Sequence, residues 1–336
     1  MSTANSAPVP LATFEESLER YVARYDDGSP AAAMVREHFG IGSGARRRGK
    51  RLRPRILLLV AAAEGGINAA AEGAAVAIEL VHNYSLVHDD IEDGDELRHG
   101  RPTLWVEHGV PSAIVAGNMM CAMSYMTLLD SAHALAPERR IALERTLQLA
   151  NYRMCEGQAV DIAFERASAV SFDEYLAMID GKTAELFSAA CELGALAAGA
   201  SAERAHAYGM FGRLYGRAFQ IRDDILGTWG TTEQTGKPSG ADIRRRKWSF
   251  PVTWALATPD SAERRAIARG YANVGALSDD EAKVVIAALD ALGAQAAADE
   301  TSDRAIAEAS DFRLRHELDP LGEVQTLFSE TARRIV

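Results

Sequence analysis

The chain has 336 residues, 48% of them hydrophobic and 7% aromatic, enough to bury a large core without disulfide or metal staples. Its 36 basic and 47 acidic residues leave a net charge of −11, which argues against general binding to nucleic acid or to an anionic membrane surface. The longest apolar run, Ile56 to Ala63, is far short of the roughly 20 residues of a bilayer span, so no stable membrane insertion is expected.

No basic stretch followed by an apolar core opens the chain, so no secretion signal is expected and a cytoplasmic location is. Residues 1–10 are expected to be disordered. Leu11, Phe14, Leu18, Tyr21 and Val22 recur at three- and four-residue steps and predict an amphipathic helix over 11–25. Asp26-Asp27, ahead of Gly28 and Pro30, reads as a turn. Longer helical stretches follow at 53–64, 70–90, 112–129, 138–164, 172–198 and 202–226, punctuated by Gly65-Gly66, Pro111, Pro137 and Ser201. Ser171 and Glu174 form a capping-box pattern, and Asp279-Asp280 after Ser278 reads as the acidic first turn of another helix. Residues 257–336, rich in Ala, Asp and Glu, read as packing helices.

Alternating strand pairs, hairpin signals, short repeats and linkers are all missing from the pattern. The expected architecture is therefore all-α, one large helical domain over 11–336. Cys121, Cys155 and Cys191 lie too far apart for C-x-x-C chemistry and read as small apolar core residues.

Two of the four Asp-Asp pairs close strongly apolar helical runs: Asp89-Asp90 and Asp223-Asp224. Asp89 and Asp93 are four residues apart and share a helix face. Carboxylates so close repel one another unless a cation lies between them, and hard oxygen donors suit magnesium. A solvated acidic helix end is the plainer alternative for such a motif. Arg98 and Arg101 just downstream weigh against it, because arginines beside a metal can hold phosphate oxygens. From Arg46 to Arg55 the chain carries seven basic residues and no acidic one, with no aromatic residue to stack on a base. A second basic run, Arg244 to Lys247, follows the second acidic pair. Acid followed by base thus occurs twice, a pattern suited to a metal–diphosphate clamp.

At these residues the chain resembles the trans-type isoprenyl diphosphate synthase (polyprenyl synthetase) family, most nearly its geranylgeranyl diphosphate synthases. GKRLRP at 49–54, HDDIEDGDELRHGRPT at 88–103, GKTAEL at 181–186, FQIRDDILG at 219–227 and TGKPSGADIRRRK at 235–247 match the family's segments in order. The resemblance implies an all-α isoprenoid-synthase bundle with a central cavity, a homodimer, and three magnesium ions per site. It further implies that Lys50, Arg53 and His82 hold the diphosphate of isopentenyl diphosphate. Asp89, Asp93 and Asp223 would bind metal, with Asp90 orienting Arg98 and Asp224 nearby. Arg98, Lys182, Thr183, Gln220 and Lys237 would contact the allylic diphosphate, assisted by Lys247. The implied reaction is ionisation of that substrate, condensation and proton loss to the released diphosphate, with no dedicated protein base.

The sequence departs from the family pattern in places. His99 stands where a second arginine is usual, a weaker ligand for isopentenyl diphosphate. Gly227 stands where the second motif usually ends in aspartate, and Asn118 and Glu185 are also unusual. Tyr84, about 7.5 Å along the helix before Asp89, with small Ser85 beside it, resembles the chain-length position of geranylgeranyl diphosphate synthases and implies a twenty-carbon product. Farnesyl or longer products are the alternative. A class I terpene cyclase would need a second metal motif ending in Ser/Thr and Glu, which Gly227 and Thr231 do not supply. A non-catalytic regulatory subunit would be expected to lack the first aspartate motif.

Overall fold

The computed structural model describes residues 11–42, 49–98, 100–235, 238–273 and 275–333. The reading of residues 1–10 as disordered, the basic residues Arg46 to Arg48, and the site assignments of His99 and Lys237 lie outside them. The described residues are overwhelmingly helical and fall into two compact units. One draws on Met1–Asn151, Ala189–Gly209 and Asp319–Val324, the other on Tyr152–Ser188, Met210–Leu318 and Gln325–Val336.

The first unit begins with α1 (Leu11–Arg24), α2 (Pro30–Phe39), α3 (Leu52–Glu64) and α4 (Ala69–Glu92). It continues with α5 (Leu104–His108), α6 (Val110–Ser131) and the start of α7 (Pro137–Phe164). Helix α4 is its axis, packed by α1, α3 and α6. Alanines make that possible: Ala71, Ala74, Ala75 and Ala77, with Val76 and Ile78, are fully buried around its whole girth. Small residues also set the α4–α6 spacing. A Cβ on Gly73 would lie 2.0 Å from Ser131 Oγ, and one on Gly117 would lie 2.3 Å from His88 Nε2. Asn68 caps the start of α4 by accepting from Ala71 N, and Gly94, at φ 66°, ends it just past Asp93.

The second unit contains α8 (Phe172–Ile179), a π-helical turn (Asp180–Ala184), and parts of α9 (Glu185–Ala198) and α10 (Ala202–Trp229). Next come α11 (Thr232–Thr235), α12 (Ala241–Arg244), α13 (Phe250–Ala257) and α14 (Ala262–Tyr271). The last helices are α15 (Asp279–Leu292), α16 (Ala294–Arg315) and α17 (Glu323–Arg333). Its core joins Tyr175, Ile221, Phe250, Val252, Ile267, Leu289 and Ala298. Arg222 on α10, buried, anchors α16 by donating to Asp303 at 2.5 Å and to Ser302 at 3.1 Å, with Asp299 as a third partner.

The structure differs from the sequence pattern at several points. Helix α2 was not expected; Pro30 at its first position and the Ser29 cap start it, but its alanines carry little periodicity. A two-residue antiparallel ribbon pairs Leu97–Arg98 with Arg101–Pro102, too short to show an alternation. Only Cys191 is a core cysteine. Cys121 is half-buried, and Cys155 is exposed because α7 buries the stripe Leu143, Leu147, Ala150 and Met154, leaving the adjacent position outside. Finally, α6 is long and apolar enough to cross a membrane, with a mean hydropathy of 1.4 over its best 18-residue window. It instead packs on α4 and α2, and 44% of that window is buried.

Candidate active site

In the first unit the end of α4 presents the first aspartate motif. Asp93 caps the helix and its N–H still donates to Asp89 O at 2.8 Å, so the two side chains do stand one turn apart. The neighbouring aspartates are treated differently. Asp90 is buried and accepts from Arg98 Nε at 2.8 Å and Nη2 at 2.7 Å, whereas Asp89 is half-buried and Asp93 exposed. Burial pushes the Asp90 carboxyl above its usual range while Arg98 opposes the rise. The ribbon explains how Arg98 arrives: turning at Gly100 (φ 76°), it folds the guanidinium back to within 3.9 Å of Asp89.

Arg53, on the first turn of α3, is buried, and loss of water lowers its pKa to about 10 against the pull of Glu79. His82 lies two turns before Asp89 on α4. Desolvation, then Arg53 and Arg98, hold its pKa well below 6.5, so the ring is neutral at pH 7. Arginine charge gathered round a neutral imidazole suits an incoming anion better than another cation. Lys50 is exposed in the loop before α3. Arg51, an undistinguished member of the basic run in sequence, proves structural: it is buried, in left-handed backbone at φ 48°, and donates to Glu15 at 2.9 Å and Glu79 at 2.8 Å. Tyr84 is buried on α4, and Ser85 Oγ donates to His82 O at 2.8 Å.

In the second unit the π turn carries Lys182 and Thr183. Glycine at 157 lets α7 pass against it, since a Cβ there would sit 2.2 Å from Lys182 N. Lys182 Nζ donates to Asp161 at 2.5 Å, and Thr183 Oγ1 to Gln220 at 2.6 Å. The second aspartate pair repeats the division of labour. Asp224 is buried and accepts from Tyr175 OH at 2.6 Å, Phe250 N at 2.8 Å and Gln220 Nε2 at 2.9 Å, while Asp223 is exposed. Burial pushes the Asp224 carboxyl up to about 6. Burial works against the Lys247 ammonium, but Asp242, Asp161, Asp224 and Asp223 more than offset it and hold its pKa well above the ordinary lysine value.

Asp89, Asp93 and Asp223 are thus the more accessible motif carboxylates, and as hard oxygen donors they fit a divalent ion such as magnesium. Asp90 and Asp224 are committed to the protein. Asp161 and Asp242 were missed in the sequence, where nothing marks a single aspartate as the partner of a distant lysine. Asp242 also answers the departure at Gly227: a Cβ there would lie 1.9 Å from Asp242 Oδ2, so a carboxylate from α12 fills the space. Glu185, buried, pairs with Arg153 at 3.0 Å and with Arg213, tying α9 to α7 and α10. Asn118 is exposed on α6.

Placing an aspartate at residue 227 should therefore harm the protein, not restore a lost ligand. Gly227→Asp is expected to lower the urea midpoint by the equivalent of about 1–3 kcal/mol of overpacking. An unchanged midpoint would mean that Asp242 steps aside freely. For His82 the folded pKa lies below the unfolded one, so the unfolded chain takes up a proton that the native protein refuses. Stability from this group is complete above about pH 6.5 and falls as pH drops, by at most about 1.4 kcal/mol per unit. Denaturant midpoints at pH 7 and pH 5 should accordingly differ less in His82→Gln than in wild type; equal slopes would contradict this.

Comparison with known proteins agrees with the geometry. The sequence pattern of the polyprenyl synthetase family matches residues 43–289. A (2E,6E)-farnesyl diphosphate synthase of Mycobacterium tuberculosis is 41% identical over 285 residues, covering 83% of this chain and 78% of that one. A geranylgeranyl diphosphate synthase of the same species is 37% identical over 291 residues, covering 84% and 82%. Among solved structures, a polyprenyl synthase from Caulobacter crescentus, described as complexed with calcium and isoprenyl diphosphate, superposes with a TM-score of 0.82. It is 25% identical, covering 97% of this chain and 95% of its own. Both the matched length and these identities place the chain in the polyprenyl synthetase family.

Proposed function

We propose that the chain is a magnesium-dependent trans-prenyltransferase that joins isopentenyl diphosphate head to tail to an allylic diphosphate, giving all-trans geranylgeranyl diphosphate. Dimethylallyl, geranyl and farnesyl diphosphates are the candidate primers. Its family and relatives make it a prenyl diphosphate synthase. The observation that carries the metal-dependent reading is the difference within each aspartate pair: Asp90 and Asp224 are buried, while Asp89 and Asp223 are the more accessible carboxylates beside them.

Asp89, Asp93 and Asp223 are assigned to hold the metal, three ions in all, and the calcium of the Caulobacter relative supports a divalent site. Bound magnesium would supply charge stabilisation for the diphosphate as the allylic carbon–oxygen bond breaks. Arg98, fixed by Asp90, together with Lys182, Thr183, Gln220, Lys237 and Lys247, binds that diphosphate. Lys247 stays protonated among its aspartates and so carries full positive charge to it, and Lys182 is positioned by Asp161. Lys50, Arg53, His82 and His99 hold the diphosphate of isopentenyl diphosphate. Its double bond attacks the allylic carbon, a carbon–carbon bond forms, and the proton lost passes to the departed diphosphate.

Tyr84 supports the twenty-carbon product. A fifteen-carbon product is the second reading, favoured by the farnesyl diphosphate synthase relative. Residues 11–336 act as one synthase domain in the cytoplasm. A homodimer is supported by apolar side chains turned outward on α6 and α7, among them Val115 at 53% and Ile141 at 67% exposure.

Purified protein incubated with magnesium, isopentenyl diphosphate and each primer should yield a twenty-carbon prenyl diphosphate by mass spectrometry. Asp89→Ala should lower turnover by about a hundredfold or more, as loss of a group acting on transition-state charge does. Tyr84→Ala should lengthen the product. Full activity in chelator, or in Asp89→Ala, would contradict the proposal.

A further inference from the structure

Tyr84 is buried on α4, as are Met120 and Leu128 on α6 and Leu147 on α7. A polar chain links Tyr84 to the two helices that carry them. Tyr84 OH bonds to Asn151 Oδ1 on α7, and Asn151 Nδ2 donates to Tyr125 OH on α6. The same amide nitrogen lies 3.8 Å from Cys121 Sγ, which in turn lies 3.9 Å from Tyr125 OH. Both ends of the Asn151 amide are therefore engaged. The polar groups of a half-buried asparagine need partners, and these bonds supply them. The Tyr84 ring is held at its edge as well. His88, one turn along α4, meets it edge-on with centroids 5.6 Å apart, in the room left by Gly117.

A ring fixed at its hydroxyl and its edge differs from one that is merely large. A growing prenyl tail pressing on an unbraced aromatic can turn it to another rotamer and pass; a braced ring must first surrender its hydrogen bonds. The geometry points to Asn151 and Tyr125 as specificity-determining residues: they lock Tyr84 in place through its hydroxyl and thereby set the length at which elongation stops. The inference rests on the prenyltransferase reading and on Tyr84 meeting the tail. What it adds is that the stop is a brace made by three helices, not the bulk of one residue.

Tyr84→Phe separates the two, because it keeps the ring and deletes the bond. With farnesyl diphosphate, excess isopentenyl diphosphate and magnesium, Tyr84→Phe and Asn151→Leu should each raise the fraction of product one prenyl unit beyond the wild-type stop by about tenfold or more. The double variant should do no more than either single one, since both remove the same bond. Tyr125→Phe, which leaves Asn151 half-engaged, should shift the distribution in the same direction. An unchanged distribution in Tyr84→Phe, or fully additive effects, would overturn the brace. Should wild type elongate no primer, the functional reading fails and the brace is read by equilibrium binding. The affinity for the twenty-five-carbon diphosphate relative to the twenty-carbon one should then rise in Tyr84→Phe, and an unchanged ratio would overturn it.

Discussion

Two adjacent carboxylates cannot both be buried and charged without strong repulsion, and much of this molecule follows from how it meets that constraint. In each motif one aspartate is buried and hydrogen-bonded from within: Asp90 by Arg98, Asp224 by Tyr175, Gln220 and the Phe250 amide. The other member is more accessible, Asp89 half-buried and Asp223 exposed. The local structure serves this division. A ribbon only two residues per strand returns Arg98 to its partner, and α13 begins where its first amide reaches Asp224. The lysines are paired in the same way: Lys182 donates to Asp161, and Lys247, among four aspartates, stays cationic despite its loss of water.

Charges held this way are preorganised. Arg53 has been taken from water strongly enough to lower its pKa to about 10, a cost that an arriving diphosphate would offset. The helices can hold such groups in fixed positions because they approach closely. Gly73 and Gly117 seat α6 on α4, and Gly157 brings α7 onto the π turn that presents Lys182 and Thr183. Alanine and glycine in this chain thus act through packing, setting how closely the helices that carry these groups approach.

Long helices were legible from periodicity and capping. The Ser171–Glu174 and Ser278–Glu281 boxes are both formed, and the helices predicted at 70–90 and 202–226 end within a few residues of those found. The aspartate motifs were legible because their spacing carries the chemistry. What escaped has little local signal. The π turn sits inside a stretch that reads as one unbroken helix over 172–198, because a single inserted residue does not disturb hydrophobic periodicity. Asp161 and Asp242 matter through lysines distant in sequence, and Arg51 looks like any other member of a basic run until Glu15 and Glu79 close round it. Gly227 looked like a lost ligand, and only the fold shows Asp242 occupying its space.

The central claim is that the outward-facing aspartates bind an allylic diphosphate only together with a divalent cation. Calorimetric titration with a non-reactive thio-analogue of geranyl diphosphate, with magnesium and then with excess chelator, addresses it directly. The account predicts saturable binding in magnesium and its loss in chelator. Equal affinity in both would contradict it, leaving the arginines and lysines as the whole of the diphosphate site.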